Sequence, residues 1–121
     1  MKIALIAHDG KKAEIVSFFL QNQDAFLGHN LYSTFTTGTH LEEAGFTVHK
    51  LLSGPRGGDA QIAAMVATGE LNMVIFFRDP LDRYPHEPDV QMLMRMCDVH
   101  NVPLATNPAT AKLMISAISN A

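Results

Sequence analysis

Two uninterrupted apolar runs, Ile3–Ala7 and Met73–Phe77, constrain the fold of this chain more than any other feature. Neither run alternates with polar residues, which is the pattern of strands buried on both faces of a parallel sheet. Shorter apolar runs at Asn30–Ser33, Thr47–Leu52 and Pro103–Ala105 predict three further strands.

Segments with helical spacing separate these runs. Their apolar residues recur every three or four positions, as on the buried face of a helix. Gly45 and Gly69 stand where two such helices would end. The alternation of strands and helices predicts an α/β fold, an open, doubly wound, mainly parallel five-stranded sheet flanked by helices. The four apolar stripes comprise Ile15, Phe18 and Phe19; Ile62, Met65 and Val66; Leu93, Met94 and Cys97; and, less regularly, Leu113, Ile115 and Ile118.

Length and composition exclude several classes of protein. The 121 residues suit a single domain spanning residues 1–121, and 47% hydrophobic residues against 17% charged residues argue against disorder. A net charge of −3 favours neither nucleic acid nor an anionic membrane as a partner. The single cysteine, Cys97, excludes an internal disulfide framework and a cysteine-rich zinc site. No apolar run approaches the roughly 20 residues of a membrane span, and the first strand begins too early for a signal peptide. We expect a cytoplasmic protein.

Small, hydroxylated or ionisable residues follow every predicted strand. Ligands of open α/β sheets bind outside the carboxyl ends of the strands, so these residues predict one site at one edge of the sheet. The residues concerned are His8 and Asp9, positions 34–38, Ser53 and Gly54, Asp79, and Thr106 and Asn107.

The threonine segment at positions 33–38 follows a strand and precedes a helix that we predict to start near His40. Hydroxyls and free backbone N–H groups at a helix N-terminus can bind an anion. Taken alone, the segment is more often an ordinary helix cap.

The glycine-rich segment at positions 53–59 ends in Asp59. Its glycines allow close approach of a ligand to the backbone. Asp59 suits two roles about equally, a cap of the next helix or a general base facing the ligand.

Two histidines are also candidates. His8, with Asp9 and Lys12, can bind a phosphate and a carbonyl oxygen, although a surface turn is slightly favoured for this stretch alone. His86 can donate a proton or a hydrogen bond to an oxyanion, although a loop histidine is more often merely solvated. The other histidines show no metal-ligand spacing, and no nucleotide-binding fingerprint follows the first strand.

Taken together and in order, these segments resemble the methylglyoxal synthase family, over residues 1 to about 111. The combination of the glycine–glycine–aspartate segment at 57–59 with the segments at 78–81 and 86–90 is specific to the family. The matching stretches are 3–9 (IALIAHD), 36–38 (TTG), 52–55 (LSGP), 57–59 (GGD), 75–81 (IFFRDPL), 85–90 (PHEPDV) and 103–107 (PLATN).

This resemblance implies a lyase that converts dihydroxyacetone phosphate into methylglyoxal and inorganic phosphate. It also implies a homo-oligomer, commonly a hexamer, that phosphate inhibits, and chemistry that needs no metal or organic cofactor. Asp59 would be the catalytic base, with His86 donating to the substrate and Asp9, Asp79 and Asp89 as supporting carboxylates. The substrate-binding residues would be His8, Lys12, Thr34, Phe35, Thr36, Thr37, Ser53, Gly54 and His86.

A non-catalytic phosphate- or metabolite-binding regulatory module of the same fold is the alternative, because it needs the threonine segment but no base. Two departures from the family pattern bear on this choice. Phe35 replaces a glycine of the phosphate loop, where a side chain can crowd the phosphate. The chain also ends at Ala121, where family members usually continue.

Four aspartates near a dianionic substrate would repel it unless most were paired. We therefore expect some of Asp9, Asp79 and Asp89 to orient histidine or arginine donors rather than face the phosphate.

Overall fold

The computed structural model describes residues 1–119 and contains the predicted five-stranded sheet. All pairings are parallel, in the order β3-β2-β1-β4-β5, so the strand order reverses at β1. This confirms the predicted fold class. The third strand is shorter than Thr47–Leu52. The strands are β1 (Lys2–Ala7), β2 (Asn30–Ser33), β3 (His49–Lys50), β4 (Met73–Phe77) and β5 (Leu104–Ala105).

Helices connect the strands and cover both faces of the sheet. Short 3₁₀ turns at 9–11 and 54–56 follow β1 and β3. Gly45 and Gly69, each with positive φ, lie just beyond α3 and α4, as predicted. None of the helices within residues 1–119 is long and apolar enough to cross a membrane. The helices are α1 (Lys12–Gln21), α2 (Gln23–Phe26), α3 (Phe35–Glu43), α4 (Gly58–Ala67), α5 (Glu87–Val99) and α6 (Pro108–Ser119).

The hydrophobic core forms two layers, one on each face of the sheet. Ile3 and Leu5 of β1 pack with α1, α2, α3 and α6, whereas Ala4 and Ile6 pack with α4 and α5. Successive side chains of β4 alternate between the same two layers. Because both faces of β1 and β4 are buried, neither strand can carry a polar residue on alternate positions. The two central strands therefore hold their carboxyl ends rigidly at one edge.

The start of α3 differs from the sequence prediction. The helix begins at Phe35 rather than near His40, so the threonine segment forms its first turn. Threonine and glycine are weak helix formers, which is why the segment suggests a loop. Gly38 lies inside the helix at a position where a Cβ would collide with Ser33 Oγ and the side chain of Lys50, so the packing there requires a glycine. Tertiary packing outweighs local propensity at this point.

Candidate active site

A cavity of about 250 Å³ lies at the carboxyl ends of the strands, where the strand order reverses. Segments after β1, β2, β3 and β4 contribute to it, as expected for an open α/β sheet. The cavity is lined by Ile6, Ala7, His8, Asp9, Lys12, Thr34, Thr36, Ser53, Gly54, Pro55, Asp59, Tyr84, Pro85 and His86.

The structure brings most of the predicted site residues to this cavity, but not all. Thr106 and Asn107 line a separate cavity of about 420 Å³. Tyr84 lines the main cavity although the sequence reasoning did not select it. The signal available was its position, two residues before His86 in a loop that follows a strand. The predicted residues on the lining are His8, Asp9, Lys12, Thr34, Thr36, Ser53, Gly54, Asp59 and His86, whereas Phe35, Thr37, Asp79 and Asp89 are absent from it.

Asp59 stands in the first turn of α4 with its side chain 0% exposed. It makes no cap hydrogen bond, and neither carboxylate oxygen has a hydrogen-bond partner within residues 1–119. His86 Nε2 lies 3.5 Å from its Oδ2, an ion-pair separation when the histidine is protonated. Burial raises the pKa of Asp59 to about 6, a rise that His86 and Lys12 limit and Asp89 increases. The structure therefore holds a buried carboxylate with free lone pairs.

Gly54 allows the backbone to pass directly beside this pair. A Cβ at Gly54 would lie 2.9 Å from His86 Nε2 and 3.5 Å from Asp59 Oδ1. His86 is itself buried at the N-terminus of α5, and its Nδ1 has no partner among the described residues. Only a glycine leaves room for the histidine and the carboxylate to stay in their present positions.

His8 is held in one tautomer by the backbone after β4. The Asp79 N–H donates to His8 Nδ1 at 2.9 Å, so in the neutral ring the proton is on Nε2. Burial lowers the pKa of His8, as do the nearby His86 and Arg78, which favours the neutral ring. Its Nε2 is buried without a partner in the part of the chain described. His8 is therefore an unused hydrogen-bond donor on the cavity lining.

Lys12 and the first turn of α3 supply positive potential on the other side. Lys12 Nζ donates to Ala7 O at 2.7 Å and lies 3.3 Å from Asp9 Oδ1. Thr34 is the N-cap of α3 but makes no side-chain cap hydrogen bond, so the first-turn N–H groups are free of that partner. Thr36 lines the cavity in this turn. Such a helix N-terminus beside a lysine suits a phosphate.

Thr37 and Phe35 lie in the same turn but face elsewhere. The buried Thr37 hydroxyl accepts from Ala7 N at 3.3 Å and from Thr34 Oγ1 at 3.3 Å. It thereby ties α3 to the end of β1. The Phe35 ring is 52% exposed, with Lys50 Nζ 4.7 Å from its centroid. The ring therefore does not crowd the cavity.

The three supporting aspartates have different surroundings. The Asp79 carboxylate accepts from Leu81 N at 3.1 Å and from the Tyr84 hydroxyl at 3.3 Å, and only its backbone N–H contacts His8. Asp9, 86% exposed, pairs with Lys12 rather than with a histidine or arginine. Asp89 is half-buried, and its charge helps to raise the pKa of Asp59. The carboxylates of Asp9 and Asp79 thus contact no histidine or arginine donor among the described residues, contrary to the expectation, and the backbone N–H of Asp79 orients His8 instead.

The arrangement suits removal of a proton from carbon next to a carbonyl group in an anionic substrate. It combines a basic carboxylate, the neutral His8 imidazole as a donor, the His86 ring and a helix N-terminus around one small cavity. Within residues 1–119, no cluster of three or more histidine, cysteine or acidic side chains could hold a metal ion.

Comparisons with known proteins agree with this chemistry. The family model described as MGS-like domain matches residues 14–106. Methylglyoxal synthase of Carboxydothermus hydrogenoformans is 55% identical over 98% of this chain and 99% of its own length. That of Geobacillus thermodenitrificans is 58% identical over 95% of this chain and 81% of its own length. The crystal structure of methylglyoxal synthase from Elizabethkingia anophelis superposes with a TM-score of 0.90, at 42% identity over 95% of this chain and 76% of that chain. At these levels of identity and coverage, the chain belongs to the methylglyoxal synthase family of lyases.

Proposed function

We propose that this chain converts dihydroxyacetone phosphate into methylglyoxal and inorganic phosphate, with Asp59 as the base. The observation that carries the proposal is the fully buried Asp59 carboxylate, which lines the cavity and has no hydrogen-bond partner within residues 1–119. The names of the relatives, all methylglyoxal synthases, support the choice of substrate.

The first step removes a proton from the hydroxymethyl carbon next to the ketone. An exposed aspartate, with a pKa of about 3.9, is a weak base for such a carbon acid. Burial raises the pKa of Asp59 to about 6 and so increases its basicity, while leaving it ionised near neutral pH. The carboxylate oxygens have no donors to satisfy them within the described chain, so their lone pairs remain available.

The resulting enediolate requires hydrogen-bond donors at its oxygens. His8 offers Nε2–H in its neutral form, and His86 lies beside Asp59 with a second ring nitrogen unpaired in the described part of the chain. A single donor aimed at a developing oxyanion is worth about 2.7–4 kcal/mol. Two such donors therefore contribute at least as much to the rate as a general base, which is worth about 10²- to 10⁴-fold.

Elimination then breaks the bond between the phosphate oxygen and the carbon that carries it, on the other side of the ketone carbon. The enediol hydroxyl gives its proton to the departing phosphate, the carbon–carbon double bond shifts, and phosphate leaves with the bonding electron pair. Protonation of the resulting enol on carbon gives methylglyoxal. The phosphate must be held so that the breaking bond overlaps the π system. Lys12, the Thr34–Thr36 turn and the Ser53–Gly54 segment are suited to this, because they line the same cavity as Asp59.

Further properties belong to this proposal. Inorganic phosphate makes the same contacts as the substrate's phosphoryl group and so inhibits. Thr37, Asp79 and Asp89 support the site from outside the cavity, and Phe35 contributes through its place in the phosphate-binding turn. The proposal includes no metal or organic cofactor. The family resemblance of the sequence favours a homo-oligomer, commonly a hexamer, formed by one domain over residues 1–121 and acting in the cytoplasm.

The test follows methylglyoxal and phosphate release from dihydroxyacetone phosphate by wild type, Asp59→Asn and Asp24→Asn. Asp24 is the matched control, because it also lies in the first turn of a helix but is exposed. We expect Asp59→Asn to lower kcat by about 10²- to 10⁴-fold and Asp24→Asn to leave it unchanged.

Two outcomes contradict the proposal. Activity of folded Asp59→Asn equal to wild type removes Asp59 from the role of base. A wild-type protein that binds phosphate but releases no methylglyoxal supports the regulatory-module alternative instead.

A further inference from the structure

Tyr84, His8 and Asp79 form a closed set of contacts at the edge of the cavity. The Tyr84 ring stacks on the His8 imidazole, with centroids 4.0 Å apart and planes inclined by 16°. The Tyr84 hydroxyl donates to Asp79 Oδ2 at 3.3 Å, and the Asp79 N–H donates to His8 Nδ1 at 2.9 Å. One side chain thus contacts His8 directly and also contacts the residue that fixes its tautomer.

We propose that Tyr84 is a positioning residue that holds His8 with its Nε2–H directed to the substrate. The inference rests on the proposed function, in which His8 donates to the enediolate. Tyr84 touches the cavity through its ring, which also packs edge-on against His86 with ring centroids 5.8 Å apart, but the effect proposed here is the one that passes through His8.

Two of the contacts of Tyr84, the stack on His8 and the hydrogen bond to Asp79, restrain different motions. The stacked ring prevents the imidazole from rotating out of plane, and the ring of Phe76, with its centroid 5.0 Å from that of His8, packs edge-on against it. The hydroxyl, together with Leu81 N at 3.1 Å from Oδ1, fixes the Asp79 carboxylate and therefore the backbone N–H of the same residue. Loss of the ring would release both restraints.

The stack also keeps water from His8. Burial favours the neutral imidazole, in which Nδ1 accepts from Asp79 and Nε2 donates. Without the ring, solvent reaches His8, so we expect protonation at higher pH and a mixture of tautomers. The charged and titratable groups around His8 are Asp9 and Lys12 on its own segment, Arg78 and Asp79 after β4, and Tyr84, His86 and Glu87 at and before the start of α5.

The chain contains a matched control. It has two tyrosines, and the other one, Tyr32 of β2, also stacks on a histidine, with its centroid 4.8 Å from that of His49. Tyr32 does not line the cavity. Comparing Tyr84→Leu with Tyr32→Leu therefore separates loss of a tyrosine–histidine stack in general from loss of this one.

The experiment measures kcat and KM for dihydroxyacetone phosphate and the ¹⁵N signals of His8, assigned with His8→Gln, between pH 5 and 9. We expect Tyr84→Leu to lower kcat by about 10- to 100-fold with a smaller change in KM. Its His8 signals should move from the pure Nε2–H tautomer towards a mixture, with protonation at higher pH. Tyr84→Phe retains the stack and loses only the hydroxyl contacts, with Asp79 and with the Gly10 backbone, so it should fall between wild type and Tyr84→Leu. Tyr32→Leu should match wild type in both readouts.

Unchanged His8 signals and kcat in both Tyr84→Phe and Tyr84→Leu would overturn the inference. If the leucine variant unfolds, unchanged His8 signals and kcat in Tyr84→Phe alone would overturn it, because that variant is expected to show part of the loss. Equal losses in Tyr84→Leu and Tyr32→Leu would also overturn it, because the effect would then be general. The NMR measurement needs no turnover. A wild-type protein that releases no methylglyoxal therefore contradicts the proposed function, while the His8 spectra still decide this inference.

Discussion

Replacing Asp59 by asparagine should make the protein more stable at neutral pH as well as inactive. Burial raises the pKa of Asp59 from 3.8 to about 6, so the folded chain prefers the protonated carboxyl more strongly than the unfolded chain does. At about 1.4 kcal/mol for each pKa unit, the ionised carboxylate lowers the free energy of unfolding by about 3 kcal/mol. Asparagine is neutral and does not carry this cost.

The sign of the effect fixes its pH window. Below about pH 4, Asp59 is protonated in both states and the charge costs nothing. Between about pH 4 and 6 the unfolded chain releases the proton first, so the wild type progressively loses stability relative to the variant. Above about pH 7 the loss is complete. In a chain of this size, about 3 kcal/mol corresponds to a Tm difference of about 10 °C.

The assay is thermal unfolding of wild type, Asp59→Asn and the exposed Asp24→Asn in buffers from pH 4 to pH 8. The decisive quantity is how the Tm difference between variant and wild type changes with pH. Any cost of burying the asparagine amide is the same at every pH and therefore does not affect this change. We expect the difference between Asp59→Asn and wild type to grow by about 10 °C across this range and that of Asp24→Asn to stay constant. The kcat/KM of wild type should fall as pH drops through about 6, where the base takes up its proton.

Two results would refute the reasoning. A Tm difference for Asp59→Asn that is the same at pH 4 and pH 8 would mean that burial does not penalise the charge. An acid limb of kcat/KM near pH 4 would mean that the base titrates as an exposed aspartate does.

Two further variants test the two ends of the cavity. Lys12→Met should raise KM by about 10- to 100-fold, because it removes a charge-assisted hydrogen bond to phosphate. Lys11→Met removes the neighbouring lysine, which pairs with Glu14, and should leave KM near the wild-type value. Equal KM values for the two variants would contradict the role of Lys12 in binding phosphate. Gly54→Ala should lower kcat by about 100-fold without unfolding the protein, because its Cβ would lie 2.9 Å from His86 Nε2 and displace the ring from Asp59. Wild-type kcat in this variant would show that the separation of the pair does not matter.

The sheet could be predicted because its signal is local. The continuous apolar runs of β1 and β4 are typical of strands covered on both faces, and the helical spacing between runs predicts the covering layers. The start of α3 could not be predicted in the same way. Thr36, Thr37 and Gly38 are weak helix formers, and only the structure shows them in the first turn of α3, where Thr37 accepts from Ala7 N and Gly38 leaves room for Ser33 and Lys50.

Asp59 shows most clearly where sequence reasoning stops. Its position after two glycines before a helix fits a cap and a base equally, because both roles place an aspartate at a helix N-terminus. The structure separates them through burial and the missing cap hydrogen bond. Phe35 is a similar case: the replacement of a glycine is visible in the sequence, but not that the ring lies against Lys50 outside the cavity.

The sequence by itself determined the parallel α/β fold, the edge at which the site lies and the residue types delivered there, because periodicity and strand ends are properties of short segments. Only the tertiary structure decided which side chains are buried, which donors remain unpaired and that Tyr84 stacks on His8. Basicity and tautomer depend on desolvation and on contacts between residues as far apart in the chain as His8 and Asp79. No local pattern records such contacts, since they arise when the sheet brings separate strand ends together.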